Sequence, residues 1–283
     1  MKHIFFSILC VLMLASCKQE SPETITVNYA TFNMRYDNPD DSLNNWQYRK
    51  ERIAEFIKAE NLEIIGTQEL LHNQVEDIKT LLPDYTVVGV GRDNGKDEGE
   101  YAAIIFRTDR FEALDSNTFW LCENPDSVGM MGWDAACTRI ATWAKLRERN
   151  SGKIFMAVNT HFDHVGVTAR RESALLIIRK IKEIVGDQPA IVTGDFNVND
   201  SSDAYKTITT NEFKLLDAYK VAEKTDGVNY TFQDFGSLPA DEREKIDFIF
   251  ITPSIKVHSA SIPAEDTTAI LSDHNPHFVT IEF

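Results

Sequence analysis

Several short apolar runs in this chain stop abruptly at a polar side chain, and this repeated ending narrows the folds open to it. Thr26 to Phe32 ends at Asn33, Leu62 to Thr67 at Gln68-Glu69, and Ile154 to Val158 at Asn159-Thr160-His161. Ala190 to Thr193, after Pro189, passes through Gly194 into Asp195-Phe196-Asn197. Runs of this length, rich in Ile, Val and Phe, read as buried strands. Between them Trp46, Ile53, Phe56 and Ile57 share a helical face, Leu70 to Leu82 reads as a helix stopped by Pro83, and Ala174, Ile178, Ile181 and Val185 form another stopped by Gly186. Strands alternating with helices predict a layered α/β fold, in which ligands collect at the strand ends.

The middle of the chain has a different rhythm. Tyr85 to Val90 enters the loop Gly91-Arg92-Asp93-Asn94-Gly95, and Tyr101 to Phe106, Phe111 to Leu121 and Arg139 to Leu146 then follow as successive strands. Ile140, Thr142, Ala144 and Leu146 alternate with Arg139, Trp143 and Arg147, which predicts antiparallel pairing. The connection Cys122 to Ala136, with Trp133 and Asp134, is long enough to be a pocket wall. Ile246 to Ile251 is a strand with an acid, Asp247, at a position where an apolar residue is expected. A further strand lies near 255–262, and after Ser272-Asp273-His274-Asn275-Pro276-His277 a last one runs to Phe283. At 283 residues, one domain with one main core is the default.

That domain is expected to begin near residue 25. Met1-Lys2-His3, the apolar run Ile4 to Leu14 and the tetrad Leu14-Ala15-Ser16-Cys17 read as a signal peptide over residues 1–16, too short to span a bilayer. The tetrad resembles the bacterial lipobox, which implies a lipidated Cys17, a linker over 17–24, and an extracytoplasmic protein tethered to a membrane at its periplasmic face or at the cell surface. Losing residues 1–16 removes Lys2 and takes the net charge from −15 to −16. So acidic a chain lacks the cationic surface that grips long nucleic acid, although a local basic pocket is compatible with it. Export would allow Cys122 and Cys137 to pair, and two buried free thiols fit equally well. No heptad or long exposed apolar segment advertises an interface, so a monomer is expected.

Each polar strand end has an ordinary explanation taken alone. Asp195 and Asn197 suit a turn, Glu69 a helix cap, His161 a satisfied core histidine, and Asp247 a sheet edge. Together, Asn33, Glu69, His161, Asp195, Asn197, Asp273 and His274 each fall at or just beyond a predicted strand end. Carboxylate and carboxamide oxygens without cysteine favour a hard ion, Mg2+ or Mn2+. A histidine beside such an ion suits metal-assisted phosphoester hydrolysis.

Thr31-Phe32-Asn33-Met34-Arg35, Gly66-Thr67-Gln68-Glu69, Asn159-Thr160-His161, Gly194-Asp195-Phe196-Asn197, Lys245-Ile246-Asp247 and Ser272-Asp273-His274 resemble, in order, the motifs of the endonuclease/exonuclease/phosphatase superfamily, with its deoxyribonuclease I-like fold. The resemblance covers about residues 25 to 283, and the text between the motifs looks like a bacterial branch of the family. It implies a four-layer α/β sandwich: two mixed, mostly antiparallel sheets face to face with helices outside. It also implies metal ligation by Glu69 with Asn33 and Asp273, water alignment by Asp195, and phosphate contacts from Asn197, His161 and His274, the last oriented by Asp247.

Outside the shared motifs, Arg92, Glu100, Trp133, Arg139 and Arg170 are placed to face the same rim and contact substrate. Asp163 and His164 are read as extending the metal site, capping the next helix or orienting His161, with orientation preferred. The expected substrate is a small phosphorylated molecule, a sugar or lipid head group, with DNA or RNA as the alternative. Two rivals differ in class. Asn159 to His164 brushes against the His-x-His-x-Asp-His zinc motif of the metallo-β-lactamase fold, with Asn159 in the first His position. A non-catalytic lipoprotein that captures phosphorylated ligands is the other.

Overall fold

The computed structural model of the chain describes residues 24–186, 188–210 and 213–283, so the expected signal peptide and Cys17 lie outside the described residues. Among the described residues, thirteen strands and five α-helices follow one another. In order they are β1 (Thr26–Asn33), α1 (Lys50–Ala59), β2 (Ile64–Gln68), α2 (His72–Leu81), β3 (Tyr85–Val88), β4 (Ile104–Arg107), β5 (Phe111–Trp120), β6 (Ile140–Glu148) and β7 (Ile154–His161). Then come α3 (Val167–Val185), β8 (Ala190–Asp195), α4 (Asp203–Thr210), β9 (Leu216–Asp217), α5 (Ala218–Val221), β10 (Thr225–Gly227), β11 (Asp247–Ile251), β12 (Lys256–Ile262) and β13 (His277–Glu282). Trp46 belongs to a short 3-10 turn before α1 rather than to that helix, because Arg49 is the N-cap.

The strands form two sheets, ordered β10-β12-β13-β1-β2-β4-β3 and β5-β6-β7-β8-β11-β9. Pairing is antiparallel except for β1 with β2, β7 with β8 and β10 with β12. The period-2 alternation of each central strand supplies two cores at once. On β1, Val27 and Tyr29 point between the sheets while Ala30 and Phe32 point to α1 and α2. On β11, Ile249 and Ile251 enter the inter-sheet core while Phe248 and Phe250 pack towards α3 and α4. The result is helix, sheet, sheet, helix, the four-layer sandwich expected.

This topology selects one edge of the molecule. The carboxyl ends of the parallel pairs, Asn33 beside Gln68 and His161 beside Asp195, lie on the same rim as the start of antiparallel β11, where Asp247 faces Asp195. The sheets approach closely there: a Cβ built on Gly66 would stand 2.1 Å from Thr193 Oγ1 and 2.5 Å from Asn159 Oδ1. Gly194 lies inside β8, and its missing side chain gives way to the Thr160 carbonyl of β7. Cys122 and Cys137 are free thiols. No helix among the described residues is long and apolar enough to cross a membrane.

Candidate active site

Consecutive residues at the rim divide their work between site and core. His161 and Asp195 face the cleft, while Phe162 and Phe196 turn into the core beneath α3 and α4, their ring centroids 4.8 Å apart. Phe162 N–H donates to the Asp195 carbonyl at 2.8 Å, which holds the two loops in register. Asn197 sits in left-handed backbone (φ 50°), its N–H on Asp195 Oδ1 at 2.9 Å and its Nδ2 on the Phe162 carbonyl at 2.9 Å. The Asx turn and the site are therefore one object. Glu69 and Arg35 are also left-handed, at φ 69° and 56°. Backbone of this kind on non-glycine residues is uncommon and concentrates at functional sites.

Asp195 is the hub. Its Oδ2 lies 3.0 Å from Asn33 Nδ2, 3.5 Å from His161 Nε2 and 3.8 Å from His274 Nε2. Asn33 Nδ2 also donates to Glu69 Oε1 at 3.0 Å, so in this arrangement its amide nitrogen, not its oxygen, faces the two carboxylates. Tyr36 N–H holds Glu69 Oε2 at 3.1 Å. Arg35 Nη1 lies 4.0 Å from Glu69 and 3.7 Å from Asp273, between the two acids. Ser272 Oγ bonds the Asn33 carbonyl at 2.7 Å and Asp273 Oδ1 at 3.0 Å, joining the loop before β13 to the end of β1. Behind the site, buried Arg49 donates to the Met34 carbonyl at 2.9 Å and the Leu271 carbonyl at 2.6 Å and draws the same two segments together.

His274 Nδ1 lies 2.8 Å from Asp247 Oδ2, and Asp247 is itself buried. Burial alone would lower the pKa of His274; Asp247 and then Asp195 outweigh it and lift the pKa to about 10, an imidazolium at neutral pH. Asp195 is pushed up, first by burial and then by Asp247. His161 is driven well below the usual histidine value by burial and by the nearby Arg139 and Arg92. The two histidines are thus in opposite charge states on either side of one carboxyl.

One ligand atom from each of Glu69, His161 and Asp195 lies within 4.8 Å of the other two. The donors are two carboxylates and an imidazole with Asp273 alongside, a set that suits a divalent cation. Asn33 turns its nitrogen to the carboxylates and its oxygen to the Arg35 N–H at 3.0 Å, so it is not placed as the ligand expected of it. Cys137, Asp163 and His164 also cluster, but Asp163 accepts Val165 and Gly166 N–H on one oxygen and Ala136 and Cys137 N–H on the other. Asp163 therefore caps the turn into α3 and does not orient His161, contrary to the preferred expectation. The zinc motif fails for a related reason: Asn159 points between the sheets, donating to the Thr67 and Ala103 carbonyls.

The cleft has a volume of about 540 Å3 and is lined by Arg35, Glu69, Asp195, Asn197, Asp273 and His274, and on one wall by Arg92, Glu100, Arg139 and His164. Trp133 and Arg170 do not line it. Trp133 packs on the core beneath α3, and Arg170 donates to the Asp163 carbonyl at 3.0 Å. Gln68 and Arg49 were not singled out from the sequence. Gln68 Nε2 donates to Asn159 Oδ1 at 2.7 Å and supports the floor of the site from inside.

A sequence model described as the Endonuclease/Exonuclease/phosphatase family matches residues 30–274. Among solved structures, the endonuclease/exonuclease/phosphatase of Bacteroides vulgatus is 66% identical with a TM-score of 0.90, covering 91% of this chain and 98% of that one. The mannosyl-6-phosphatase Bt3783 of Bacteroides thetaiotaomicron is 36% identical with a TM-score of 0.84, covering 91% of this chain and 100% of that one. An uncharacterized protein of Acanthamoeba polyphaga mimivirus is 30% identical over 219 residues, 71% of this chain and 78% of its own length. The match runs from β1 to His274, and so contains every residue that meets at Asp195; this chain belongs to the endonuclease/exonuclease/phosphatase family.

Proposed function

We propose that the protein is a divalent-metal-dependent phosphoric ester hydrolase acting on a small phosphorylated molecule. Family members are hydrolases acting on phosphoesters. The observation that carries the reading for this chain is the position of Asp195, within 4 Å of Asn33, His161 and His274 and lining a cleft. Glu69, with Asp195 and His161, would hold the cation, Mg2+ or Mn2+, whose charge would screen the phosphate and lower the cost of the negative transition state. Asp195 accepts a hydrogen bond from water and aligns it. His274, charged and held by Asp247, donates to a phosphoryl oxygen, as an acid-fixed histidine does in other hydrolases. Asn197 completes the oxygen contacts, His161 being turned to the cation side by Nε2, 3.5 Å from Asp195.

A phosphorylated sugar heads the candidate substrates because the mannosyl-6-phosphatase covers this chain nearly end to end. The net charge of −15 disfavours a long polynucleotide. The decisive experiment is a magnesium-supplemented screen of p-nitrophenyl phosphate, bis-p-nitrophenyl phosphate, sugar phosphates, lipid head-group phosphates, DNA and RNA. Wild type should turn over a small ester and Asp195→Ala should lose at least about 10²-fold, the scale of a missing proton-transfer group. No turnover of any substrate by wild type would sink the enzyme reading in favour of ligand capture. The place of action is proposed from residues 1–17 alone: an extracytoplasmic, membrane-tethered monomer. Cell fractionation tests it, since Cys17→Ser should move the protein out of the membrane fraction.

A further inference from the structure

One wall of the cleft carries more donor capacity than the fold uses. The loop after β3 doubles back, Arg92 N–H on the Glu100 carbonyl at 3.1 Å, and so sets the Arg92 and Glu100 side chains next to each other. Arg139, at the start of β6, faces them. Arg92 Nη1 reaches Glu100 Oε2 at 2.6 Å, but Arg139 Nη1 stops 3.9 Å from that oxygen and His161 Nδ1 stops 3.7 Å from it. Arg139 Nε lies 3.8 Å from Asp163. Separations of this size are too long for hydrogen bonds; the Arg139 contacts are ion pairs, and the neutral His161 ring makes none. Arg92 Nε, Arg139 Nε, Arg139 Nη1 and His161 Nδ1 are all buried without a hydrogen-bond partner, and the Arg139 side chain is only 6% exposed. Buried polar atoms left unpaired are costly, and four on one wall of a cleft, three of them guanidinium donors, are unusual in a folded protein.

The space beside them is small. Arg92, Glu100, Arg139 and His161, together with Tyr101, Ala102 and Ile140, line a recess of about 10 Å3. That is about the room a single water occupies. His161 connects it to the reacting centre, since Nε2 is 3.5 Å from Asp195 while Nδ1 faces Glu100. The two guanidiniums face Glu100, with Asp163 3.8 Å from Arg139 and Asp93 3.9 Å from Arg92, so what sets this wall apart is its unused donors and not a surplus of charge.

We infer that Arg139 and Arg92 form a receptor for an unesterified phosphoryl oxygen, which makes the protein a monoesterase selective for terminal phosphates. The inference rests on the phosphoesterase reading and deepens it. An anionic oxygen fits the recess and takes the idle Arg139 donors; an esterified oxygen brings a carbon for which a recess of this size has no room. A terminal phosphate also brings a further anionic oxygen to accept from the unused Arg139 donors, which an internal diester lacks.

The test compares kcat/KM for p-nitrophenyl phosphate and bis-p-nitrophenyl phosphate with magnesium present. Wild type should prefer the monoester. Arg139→Gln should lower the monoester-to-diester ratio of kcat/KM by about tenfold to a hundredfold, the worth of hydrogen bonds to a charged group, with a wild-type circular dichroism spectrum and a cooperative thermal melt reporting that the variant is folded. Arg139→Lys, which keeps the charge but not the fork, should fall between. Inorganic phosphate should inhibit diester hydrolysis by Arg139→Gln at least about tenfold more weakly than by wild type. Equal loss on both esters, or unchanged phosphate inhibition, would overturn the inference and leave the phosphoesterase reading intact. Turnover of neither ester by wild type would overturn both.

Discussion

Asp247 shows most plainly how one side chain changes meaning between sequence and structure. As an acid in the run Asp-Phe-Ile-Phe-Ile, it suits an exposed sheet edge. In the fold it is 1% exposed and β11 lies between β8 and β9, so the carboxylate needs a charged partner to offset its desolvation. His274 is that partner at 2.8 Å, and the pairing fixes which ring nitrogen faces Asp195. Asp247→Asn keeps the shape and removes the charge that holds the imidazolium. The expected result is a fall in kcat of about 10² or more with KM nearly unchanged, measured on a magnesium-supplemented phosphoester. A proportional rise in KM with kcat intact would mean that the pair binds substrate instead.

Among the elements, β2 and β8 are limited by what their glycines leave out. Gly66 admits Thr193 and Asn159 at the place where the two sheets touch, and the Gln68 to Asn159 hydrogen bond crosses the same spot. A methyl group at Gly66 forces the sheets apart just below Glu69 and Asp195. Gly66→Ala should therefore cost about 1–3 kcal/mol, the range for overpacking a filled interior, and be read as a lower denaturant midpoint with an unchanged slope. Activity should fall further than stability explains, because the displaced strands carry Glu69 and Asp195. The helix α3 depends on side chains from outside itself: its N-cap, Gly166, has no side chain to offer, and Asp134 accepts from Thr168 and Ala169 N–H instead. The Gly-Trp-Asp stretch is thus part of how the loop between β5 and β6 is fastened against the site, and its Trp133 serves packing.

For the molecule as a whole, Glu69, Asp195 and Asp273 are gathered at one rim of an already acidic chain, so the folded state gains wherever a cation is shared among them. Asp195 and Asp273 both have raised pKa values, with burial the first cause, which is the signature of carboxylates crowded together out of water. Magnesium should raise the melting temperature, and a free concentration of about a hundred times Kd corresponds to about 2.7 kcal/mol. Chelation with EDTA should reverse the shift, and Glu69→Gln should abolish it. Stabilisation of the variant equal to wild type would place the cation elsewhere.

Local order was legible in the chain because its physics is local. The apolar runs marked β1, β2, β7 and β8, the helical spacing marked α1, α2 and α3, and the polar residues at strand ends marked the rim. Where the signal is short, it failed: α4, β9, α5 and β10 span too few residues for a periodic pattern to emerge. The motifs allowed the family and the sandwich to be expected. Only the tertiary structure decided that Asp163 is consumed by backbone N–H groups, that Trp133 and Arg170 turn away from the cleft, and that Arg139 keeps donors free towards it. Hydrogen-bond saturation and side-chain direction depend on which strands become neighbours, and residues far apart in the chain meet only once the two sheets have closed.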